Sequence, residues 1–409
     1  MKVLVLTSSF PQHENSHEGI FILELVRKLH DQGFVPFVLA PHFNGGTMRD
    51  VFSGVQIFRF PYFYPYYFER LAYGSGIPFN LKRYPSVLLS IVPFLVSEFV
   101  GSLTIITKHK IQMIHTHWLV PQGLIGALFN FVFKIPHVAT VHGSDISILQ
   151  KNQLLIILCR FIVRNSDMIT VNSTYMKTRL ELIVPGCSAK IRVIPMGIDP
   201  EKFKAPEFIG IKNTFQTGHI ILSVGRLIDL KGTIHLIDAM PAVLRQFPDT
   251  VLLIIGAGPE KETLVNQTRK LGLDHRISFL GMKEIDEIPS YYHAADVFVL
   301  PSINISGRTE ALGVVLLEAM ASGCPVIGSN IGGIPDIIVD GETGFLVPEQ
   351  RSDILAEKII LLLSDDHLRE RFRQNGLVRV REKFSWGKIS EEFGDVYFQV
   401  LKVTGNKGL

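Results

Sequence analysis

One stretch of the chain reads Thr309-Glu310-Ala311-Leu312-Gly313-Val314-Val315-Leu316-Leu317-Glu318-Ala319-Met320-Ala321-Ser322-Gly323-Cys324-Pro325-Val326-Ile327. It joins two acids and an apolar helical run to a Gly-Cys-Pro stop, which leads into a β-branched pair. On one continuous helix, Glu310 and Glu318 would lie roughly 80° apart around the axis and ~12 Å apart along it, too far to share a ligand group. We therefore predict that Glu310 precedes the helix and that Glu318 lies two turns inside it.

The start of this predicted helix is a candidate anion site. Both carboxylates can then face one cleft, and the backbone N–H groups of Leu312, Gly313 and Val314 lie between them without helical partners. For either acid alone, an ordinary surface glutamate on an amphipathic helix is the competing interpretation. The pair together with the flanking glycines favours a ligand site.

Strand-like runs alternate with helical patterns on both sides of a looser stretch between Pro195 and Gly218. In the first half the predicted strands are Val3–Leu6, Val35–Ala40, Val55–Phe60, Met113–His115, His137–Val141, Met168–Val171 and Ile191–Ile194. In the second half they are Ile220–Val224, Val251–Ile255, Ile277–Leu280, Val297–Leu300 and Pro325–Ile327. The alternation predicts an α/β fold of two Rossmann-like, doubly wound domains facing a central cleft.

The predicted domains are residues 1–197 and residues 198–384. The final helical segment, residues 385–409, is expected to pack back on the first domain.

Composition excludes several classes of protein. Hydrophobic residues make up 47% of the chain and charged residues 19%, so a folded protein is expected. The net charge is +3 with no long basic run, which does not favour nucleic acid as a partner. The three cysteines are scattered, which argues against a disulfide framework or a zinc site and fits the cytoplasm. The amino terminus soon turns polar, unlike a secretory signal, and no transmembrane helix is predicted.

Residues 61–101 differ from the rest of the first half. Seven aromatic side chains between Tyr62 and Tyr73 precede Lys82, Arg83 and an apolar run from Val87 to Val100. This pattern is typical of a surface for the membrane interface or for a lipid-bearing acceptor. An insertion packed on its own domain is the alternative.

Two glycine-containing loops follow predicted strands of the second half. Gly225-Arg226-Leu227-Ile228-Asp229-Leu230-Lys231-Gly232 carries two cations, which suit a diphosphate because it needs several charge-assisted donors. It lacks the Walker Gly-Lys-Ser/Thr, so it is not a P-loop. Gly256-Ala257-Gly258-Pro259 resembles a dinucleotide loop without its third glycine. It favours a tight turn near a nucleotide, and NAD binding is the alternative.

The first half offers two further candidates. Gly19 opens the first predicted helix after a polar loop, where a phosphate or sugar could approach closely. The sequence Thr140-Val141-His142-Gly143-Ser144-Asp145 follows a predicted strand, so its polar side chains fall at the carboxyl end of that strand. A lone histidine is usually structural, and this chain has 14. The cluster of His142 and Asp145 at a strand exit nevertheless favours a site, with Asp145 as the candidate acceptor residue.

Several of these motifs together resemble the large group-1 (family 4) retaining glycosyltransferases of GT-B fold. The similarity spans nearly the whole chain and is strongest from about residue 220 to residue 347. The motifs that carry it are Gly225-Arg226 with Lys231-Gly232, Gly256-Ala257-Gly258-Pro259, Glu310 with Glu318, Ser322-Gly323-Cys324-Pro325-Val326, and Gly332-Gly333-Ile334-Pro335. The amino-terminal loop departs from the family's Gly-Gly pair, because Glu18 precedes Gly19.

The resemblance implies that residues 1–197 form the acceptor-side domain and residues 198–384 the nucleotide-sugar donor-binding domain. It also implies roles for particular residues. The cations Arg226 and Lys231 would hold the donor diphosphate, Glu318 would bind the donor ribose, and Glu310 would lie near the sugar. His142 would lie near the donor sugar and the reacting centre. The other implied donor-binding positions are Gly19, Gly225, Gly258, Leu312, Gly313 and Val314, with Gly281 and Met282 at the base.

The implied reaction is transfer of a sugar from a nucleotide-diphosphate sugar (UDP-, GDP- or ADP-linked) to a hydroxyl acceptor, which includes a lipid-linked one. No Asp-Xaa-Asp occurs, so no metal and no cofactor are expected, and the cations would take the role of Mg²⁺. The acceptor would attack from the face of the leaving group, and double displacement by Glu310 is the alternative. Competing functions are an NAD-dependent oxidoreductase and a non-catalytic sugar-nucleotide-binding protein. The expected location is the cytoplasm, including the inner face of the cell membrane.

Overall fold

Two α/β units make up the chain. The computed structural model describes residues 1–14, 16, 18–74, 76–143, 145–146, 152–204 and 210–405. One unit is Met1–Gly197 together with Ile389–Leu409, and the other is Ile198–Lys388. The helix Trp386–Gly405 therefore begins in the second unit and continues in the first.

The first unit contains an eight-stranded sheet in the order β3-β4-β2-β1-β5-β6-β7-β8. The strands are β1 (Lys2–Leu6), β2 (Val35–Pro41), β3 (Arg49–Phe52), β4 (Val55–Phe60), β5 (Met113–His117), β6 (His137–Val141), β7 (Met168–Val171) and β8 (Ile191–Val193). All neighbouring strands are parallel except β3, which pairs antiparallel with β4. The central strands read as continuous apolar runs because helices exclude water from the sheet.

The α-helices of the first unit are amphipathic or apolar crossovers between these strands. They are Ile20–Asp31, Ile77–Arg83, Ile91–His109, Leu124–Phe133, Gln153–Arg164 and Thr174–Ile183. Shorter helical turns lie at Tyr66–Phe68, Pro85–Ser90, Leu119–Gly123 and Ser188–Lys190. In the first of the helices, Ile22, Leu25, Val26 and Leu29 recur at helical spacing and are all buried, so one face packs on the sheet.

The second unit repeats the architecture with a six-stranded sheet in the order β11-β10-β9-β12-β13-β14. Its strands, all parallel, are β9 (His219–Val224), β10 (Thr250–Ile255), β11 (Ile277–Gly281), β12 (Val297–Leu300), β13 (Val326–Ser329) and β14 (Gly344–Val347). Its α-helices are Ile211–Thr214, Thr233–Gln246, Lys261–Lys270, Ile288–Ala294, Val314–Ala321, Ile334–Ile337, Ser352–Ser364 and Asp366–Arg379. Short helical turns lie at Pro200–Phe203, Asp229–Lys231 and Val380–Phe384. The alternating α/β pattern predicted from the sequence is therefore present in both units.

One helical segment differs from the expectation that no part of the chain could cross a membrane. Pro85–His109 is 25 residues long and apolar enough to do so by length and composition, and 28% of its most apolar window is buried. The segment leads from β4 to β5 of the same sheet, and its Phe94 and Ile105 are buried in the core beside that sheet. It is a crossover helix with a large apolar outer face.

Candidate active site

An ion pair joins two of the predicted site residues of the second unit. The Nζ atom of Lys231 lies 2.6 Å from Oε2 of Glu310, and both side chains are 16% exposed. Ser302, just after β12, donates its hydroxyl to the same oxygen at 3.3 Å. Lys231 ends the turn Asp229–Lys231, and Glu310 lies in the loop before the helix Val314–Ala321. The structure thus brings a cation from the loop after β9 to the first acid of the Glu310/Glu318 pair.

Arg226 lies on the same loop as Lys231 but is exposed. Within the described part of the chain, its guanidinium makes no hydrogen bond or ion pair. Arg226 and Lys231 also border one small cavity at the carboxyl ends of β9 and β10. A cation without a protein partner beside a second cation is suited to bind an external anion.

The loops after β9, β10 and β11 are packed backbone to backbone. Gly225 donates its N–H to Ile255 at 3.0 Å, and Gly256 donates to Gly281 at 2.8 Å. A Cβ atom at Gly258 would collide with the carbonyl group of Leu227. Close packing of neighbouring loops therefore explains the Gly-Ala-Gly-Pro sequence without a dinucleotide.

The acid-bearing helix begins at Val314, with Gly313 as its N-cap at φ 95° and ψ 50°. This left-handed conformation strains any residue with a Cβ, which explains the glycine. Among the described residues, the N–H groups of Leu312, Gly313 and Val314 have no hydrogen-bond acceptor. The predicted arrangement, with Glu310 before the helix and Glu318 inside it, is what the structure has.

The second acid of the pair has a partner that the sequence did not reveal. Tyr292, buried in the helix Ile288–Ala294, donates its hydroxyl to Oε2 of Glu318 at 2.8 Å. Burial raises the pKa of Glu318, while the Tyr292 hydrogen bond and the charge of Lys231 act in the opposite direction. In the part of the chain that the structure describes, Oε1 of Glu318 has no hydrogen-bond partner, so it can accept from a ligand hydroxyl.

A glycine pair supports the Glu310 loop from behind. Gly333 donates its N–H to the carbonyl of Glu310 at 3.0 Å. A side chain at Gly332 would collide with that carbonyl and crowd Thr309. The Gly332-Gly333 motif is therefore required by close packing against the loop that carries the acid.

The remaining predicted residue of the second unit is Met282, at the predicted base-binding position. It follows β11 and is 76% exposed. Gly281, the last residue of that strand, has open space around the position of a Cβ. A planar base could approach the backbone here.

In the first unit, His142 follows β6 and contacts other rings. Its Nε2 lies 2.9 Å from Nδ1 of His117, the last residue of β5. Phe21 and Trp118 also pack against His142. Burial lowers the pKa of His142 to about 3, so the imidazole is neutral at physiological pH.

Asp145 accepts a hydrogen bond within the loop that follows β6. Its Oδ2 accepts the backbone N–H of His142 at 2.9 Å, and the residue is 7% exposed. Burial raises its pKa to about 7. Ser144 of the same motif lies outside the described residues. The structure gives Asp145 a role in holding the His142 backbone, whereas its assignment to the acceptor stays a prediction.

Gly19 is the N-cap of the helix Ile20–Asp31, at φ 68°. A Cβ at this position would collide with the backbone of Ser9 and Phe10, in the loop after β1. The glycine is thus explained by the close approach of two backbones. A ligand contact there stays a prediction.

Sequence reasoning missed Tyr292, Ser302 and His117. Each contacts a predicted site residue from a different element, and Tyr292 lies 26 positions from its partner Glu318. The only signal for Ser302 and His117 is their place at the carboxyl end of a strand, where ligands of such sheets bind.

Comparison with known proteins identifies the family of the chain. The family model described as "Glycosyl transferases group 1" matches residues 205–379, and the model described as "Glycosyltransferase Family 4" matches residues 19–202. An uncharacterized glycosyltransferase of Methanocaldococcus jannaschii is 31% identical over 339 residues, which is 81% of this chain and 89% of that protein. A GDP-mannose-dependent alpha-(1-6)-phosphatidylinositol monomannoside mannosyltransferase of Mycolicibacterium smegmatis is 30% identical over 375 residues, 89% of each chain.

Among solved structures, the sucrose-phosphate synthase of Thermosynechococcus elongatus superposes with a TM-score of 0.76 at 22% identity, covering 98% of this chain and 100% of that one. The fold and the site thus define a transferase enzyme of the GT-B class of glycosyltransferases. The chain belongs to the group 1, family 4 glycosyltransferases. This assignment removes the NAD-dependent oxidoreductase alternative.

Proposed function

We propose that this protein is a retaining glycosyltransferase that moves a sugar from a nucleotide-diphosphate sugar to a hydroxyl acceptor without a metal ion. The observation that carries the proposal is the ion pair of Lys231 with Glu310, close to Arg226 and to the N–H groups that begin the Val314–Ala321 helix. Among the described residues, neither the Arg226 guanidinium nor these N–H groups have a hydrogen-bond partner. Cleavage of a sugar–phosphate bond leaves negative charge on the diphosphate. Fixed cations and helix N–H groups stabilise that charge as it develops.

The two acids then have separate roles. Glu318, held by Tyr292, accepts the ribose hydroxyls of the donor through Oε1, which has no partner among the described residues. Glu310 positions the sugar, and its carboxylate stabilises the positive charge that develops at the anomeric carbon. Lys231 and Ser302 both bind Oε2 of Glu310, and the ion pair neutralises the carboxylate as a whole, which lowers its nucleophilicity and supports attack from the leaving-group face over double displacement. A phosphate oxygen of the donor takes the acceptor proton, and His142 binds the donor sugar.

The charged residues of the protein support a metal-free reaction. No Asp-Xaa-Asp occurs in the sequence. Over the described residues, no group of three or more His, Cys, Asp and Glu side chains could hold a metal ion. Arg226 and Lys231 supply the positive charge that a metal supplies elsewhere.

The relative from Mycolicibacterium smegmatis supports a sugar-nucleotide donor, since its name gives GDP-mannose as the donor and a mannosylated phosphatidylinositol as the acceptor. For the present protein we propose a UDP-, GDP- or ADP-linked sugar and a hydroxyl acceptor, including a lipid-linked one.

The reaction is tested with a panel of nucleotide sugars. We expect one class to raise the melting temperature, and that donor should release its nucleoside diphosphate when an acceptor is added in the presence of excess EDTA. NMR of the product should show the anomeric configuration of the donor. Because Arg226 and Lys231 neutralise the diphosphate, EDTA should leave the rate unchanged.

Three outcomes would contradict parts of the proposal. Loss of activity in EDTA that Mg²⁺ restores would remove metal independence. An inverted product would remove retention. Donor binding without turnover across a broad acceptor panel would favour a non-catalytic sugar-nucleotide-binding protein.

We also infer that the first unit docks on the cytoplasmic face of an anionic membrane. Residues 61–101 are anchored on their own unit, because Glu69 lies 2.5 Å from Nδ1 of His42 and Tyr73 donates its hydroxyl to the carbonyl of Pro41 at 2.7 Å. The outer side of the helical stretch Pro85–His109, which overlaps this segment, is exposed and apolar. We call this side the apolar face; its residues are Leu88, Leu89, Val92, Val96, Val100 and Leu103, each between 37% and 76% exposed.

Charge at both ends of the apolar face favours a lipid surface as its partner. Lys82 and Arg83 end the helix before it, and Lys108 and Lys110 lie at its carboxyl end. All four side chains are exposed. A flat apolar surface between basic residues is suited to an anionic bilayer, where each basic residue adds on the order of 1 kcal/mol.

Sedimentation with vesicles tests this docking. We expect the protein to pellet with phosphatidylcholine vesicles that contain phosphatidylglycerol, and less with phosphatidylcholine alone. Val96→Glu should lower binding to the anionic vesicles about tenfold, since burying one valine contributes on the order of 1.5 kcal/mol. The matched control is Val378→Glu, at a residue 49% exposed in the second unit, which should bind like the wild type. Absence of wild-type pelleting at low salt would refute the docking.

A further inference from the structure

Arg59 of β4 is a buried cation that the proposed reaction does not use. Its side chain has no exposed surface, and its Nε lies 3.2 Å from Oδ2 of Asp50, which neutralises the charge. Its Nη2 atom donates to the backbone carbonyls of Pro11 at 2.7 Å and Gln12 at 3.3 Å. Both carbonyls lie in the loop that follows β1. A buried guanidinium that binds two carbonyls of one loop fixes the position of that loop.

The same guanidinium holds two more segments. Nη1 of Arg59 donates to the hydroxyl of Tyr73 at 2.8 Å, and that hydroxyl donates to the carbonyl of Pro41, the last residue of β2, at 2.7 Å. The ring of Phe43, in the loop after β2, has its centroid 4.9 Å from Cζ of Arg59. Arg59 therefore joins the stretches that follow β1, β2 and β4. We call these stretches the edge loops; they are residues 7–14, 42–48 and 61–73.

The edge loops lie where a parallel sheet binds ligands. The strands β4, β2 and β1 are neighbours in the sheet and run parallel, so their carboxyl ends meet at one edge. His142 follows β6 at the same edge. The loop after β1 also leads into the helix Ile20–Asp31, whose Phe21 has its ring centroid 5.1 Å from that of His142. Arg59 thus acts, through the edge loops, on the part of the first unit that borders the candidate site.

The groups assigned to the donor diphosphate and ribose, Arg226, Lys231 and Glu318, all belong to the second unit. We propose that Arg59 is a positioning residue for the acceptor, because it holds the edge loops of the first unit in the arrangement that the acceptor meets. This inference rests on the proposed glycosyl transfer. Lysine cannot replace Arg59, since one ammonium cannot make the diverging hydrogen bonds of a planar guanidinium.

Steady-state kinetics of Arg59→Lys test the inference. The assay pairs UDP-, GDP- and ADP-sugars with glucose, mannose, myo-inositol and octyl glucoside, and the pair with the fastest transfer is used. Arg59→Lys should raise the KM of the acceptor about tenfold, the loss expected when a charge-assisted hydrogen bond that orders a loop is removed. The KM of the donor should stay within about twofold of the wild-type value. Tyr73→Phe, which removes one hydroxyl and keeps the charge, should raise the acceptor KM about threefold.

Arg379→Lys is the matched control. Arg379 holds two carbonyls of the second unit in the same way, since Nε donates to Ile337 at 2.6 Å and Nη2 donates to Asp336 at 2.8 Å. The ring of Phe384 lies 5.6 Å from its Cζ. This variant should lower the melting temperature, as Arg59→Lys does, and leave the acceptor KM unchanged. A purely structural role for Arg59 predicts the same kinetics for both variants.

Hydrogen exchange gives a readout that needs no transfer. The backbone amides of residues 8–14 should exchange about fivefold faster in Arg59→Lys than in the wild type, because the loop has lost its anchor. The amides of Met168–Val171, in β7, should exchange at the wild-type rate. Unchanged exchange of residues 8–14 in a folded Arg59→Lys would mean that Arg59 does not hold the loop, and would overturn the inference.

Two kinetic results would also overturn it. Equal rises in the KM of donor and acceptor, or a fall in kcat alone, would mean that the edge loops do not position the acceptor. Absence of transfer by the wild type with every pair would remove the acceptor assignment together with the proposed function. Faster exchange would then still show that Arg59 anchors the loop, so the two failures are distinguishable.

Discussion

Lys231→Ala is expected to lower kcat/KM about a thousandfold, the largest loss of activity for any single change proposed for this protein. Its ammonium acts on both acids: it binds Glu310 at 2.6 Å, and its charge opposes the burial that raises the pKa of Glu318. Removing one preorganised donor to a developing anion costs on the order of 10²–10³ in kcat. The loss should fall mainly on kcat, because the charge on the diphosphate grows as the bond breaks.

The Lys231→Ala variant should also be less stable than the wild type. Measuring stability beside activity separates the role of Lys231 in the ion pair with Glu310 from its role in the reaction. Glu310 is 16% exposed and would lose its only cationic partner among the described residues, at a cost of roughly 2 kcal/mol. Arg226→Ala provides the comparison, because Arg226 has no such partner in that part of the chain. It should lose activity with little change in melting temperature.

Calorimetry with a nucleoside diphosphate and with the corresponding nucleoside decides whether Lys231 binds phosphate. Lys231→Ala should weaken binding of the diphosphate and leave that of the nucleoside unchanged. Lys270→Ala, an exposed lysine at the end of the helix Lys261–Lys270, is the matched control and should behave like the wild type. Equal weakening of both ligands would mean that Lys231 acts only by supporting Glu310.

The sequence predicted the alternating α/β architecture because buried parallel strands read as short apolar runs between amphipathic helices. It missed two strands for physical reasons. β3 is a four-residue antiparallel edge strand, Arg49–Phe52, that begins with two charged residues and buries only Phe52, and β14 is a four-residue run, Gly344–Val347, that follows a turn. Edge strands need only one partner and carry a weak hydrophobic pattern.

The sequence predicts those parts of the site that are formed by residues close together along the chain. The position of Glu310 before the helix follows from helical geometry alone, and the structure has it. The hydrogen bond of Tyr292 to Glu318 does not follow, because it joins two helices whose packing depends on the whole sheet. At Gly258 the sequence suggested a nucleotide-binding loop, but the structure gives a different reason for the glycine. The carbonyl of Leu227 packs so closely against Gly258 that a side chain would not fit.

Glu98→Gln is expected to stabilise the first unit, with a gain that grows as the pH rises. Glu98 lies on the inner side of the helix Ile91–His109 and has no exposed surface. Neither of its carboxyl oxygens has a hydrogen-bond partner with good geometry in the described structure, although the Gln122 side chain is close to it. Burial raises the pKa of Glu98 to about 8.

The direction of the pH dependence follows from proton binding. An unfolded glutamate has a pKa of about 4.3, so between about pH 4.3 and pH 8 the folded protein holds a proton that the unfolded chain releases. Stability therefore falls as the pH rises through this window. At about 1.36 kcal/mol per pH unit, the full loss is roughly 5 kcal/mol by pH 8. Glutamine has the same shape and stays neutral, so it avoids this loss.

Differential scanning calorimetry across pH 5–9 checks the prediction. At pH 5 the melting temperatures of the wild type and of Glu98→Gln should lie close together, because pH 5 is less than one unit above the pKa of an unfolded glutamate and only about 1 kcal/mol of the loss is then present. By pH 8 the variant should melt several degrees higher. Glu262→Gln, at an exposed position on the helix Lys261–Lys270, should track the wild type at every pH. If the difference in melting temperature between Glu98→Gln and the wild type stays constant with pH, then Glu98 is ionised in the folded protein. Its carboxylate would then need contact with water, which the packing around Glu98 does not allow.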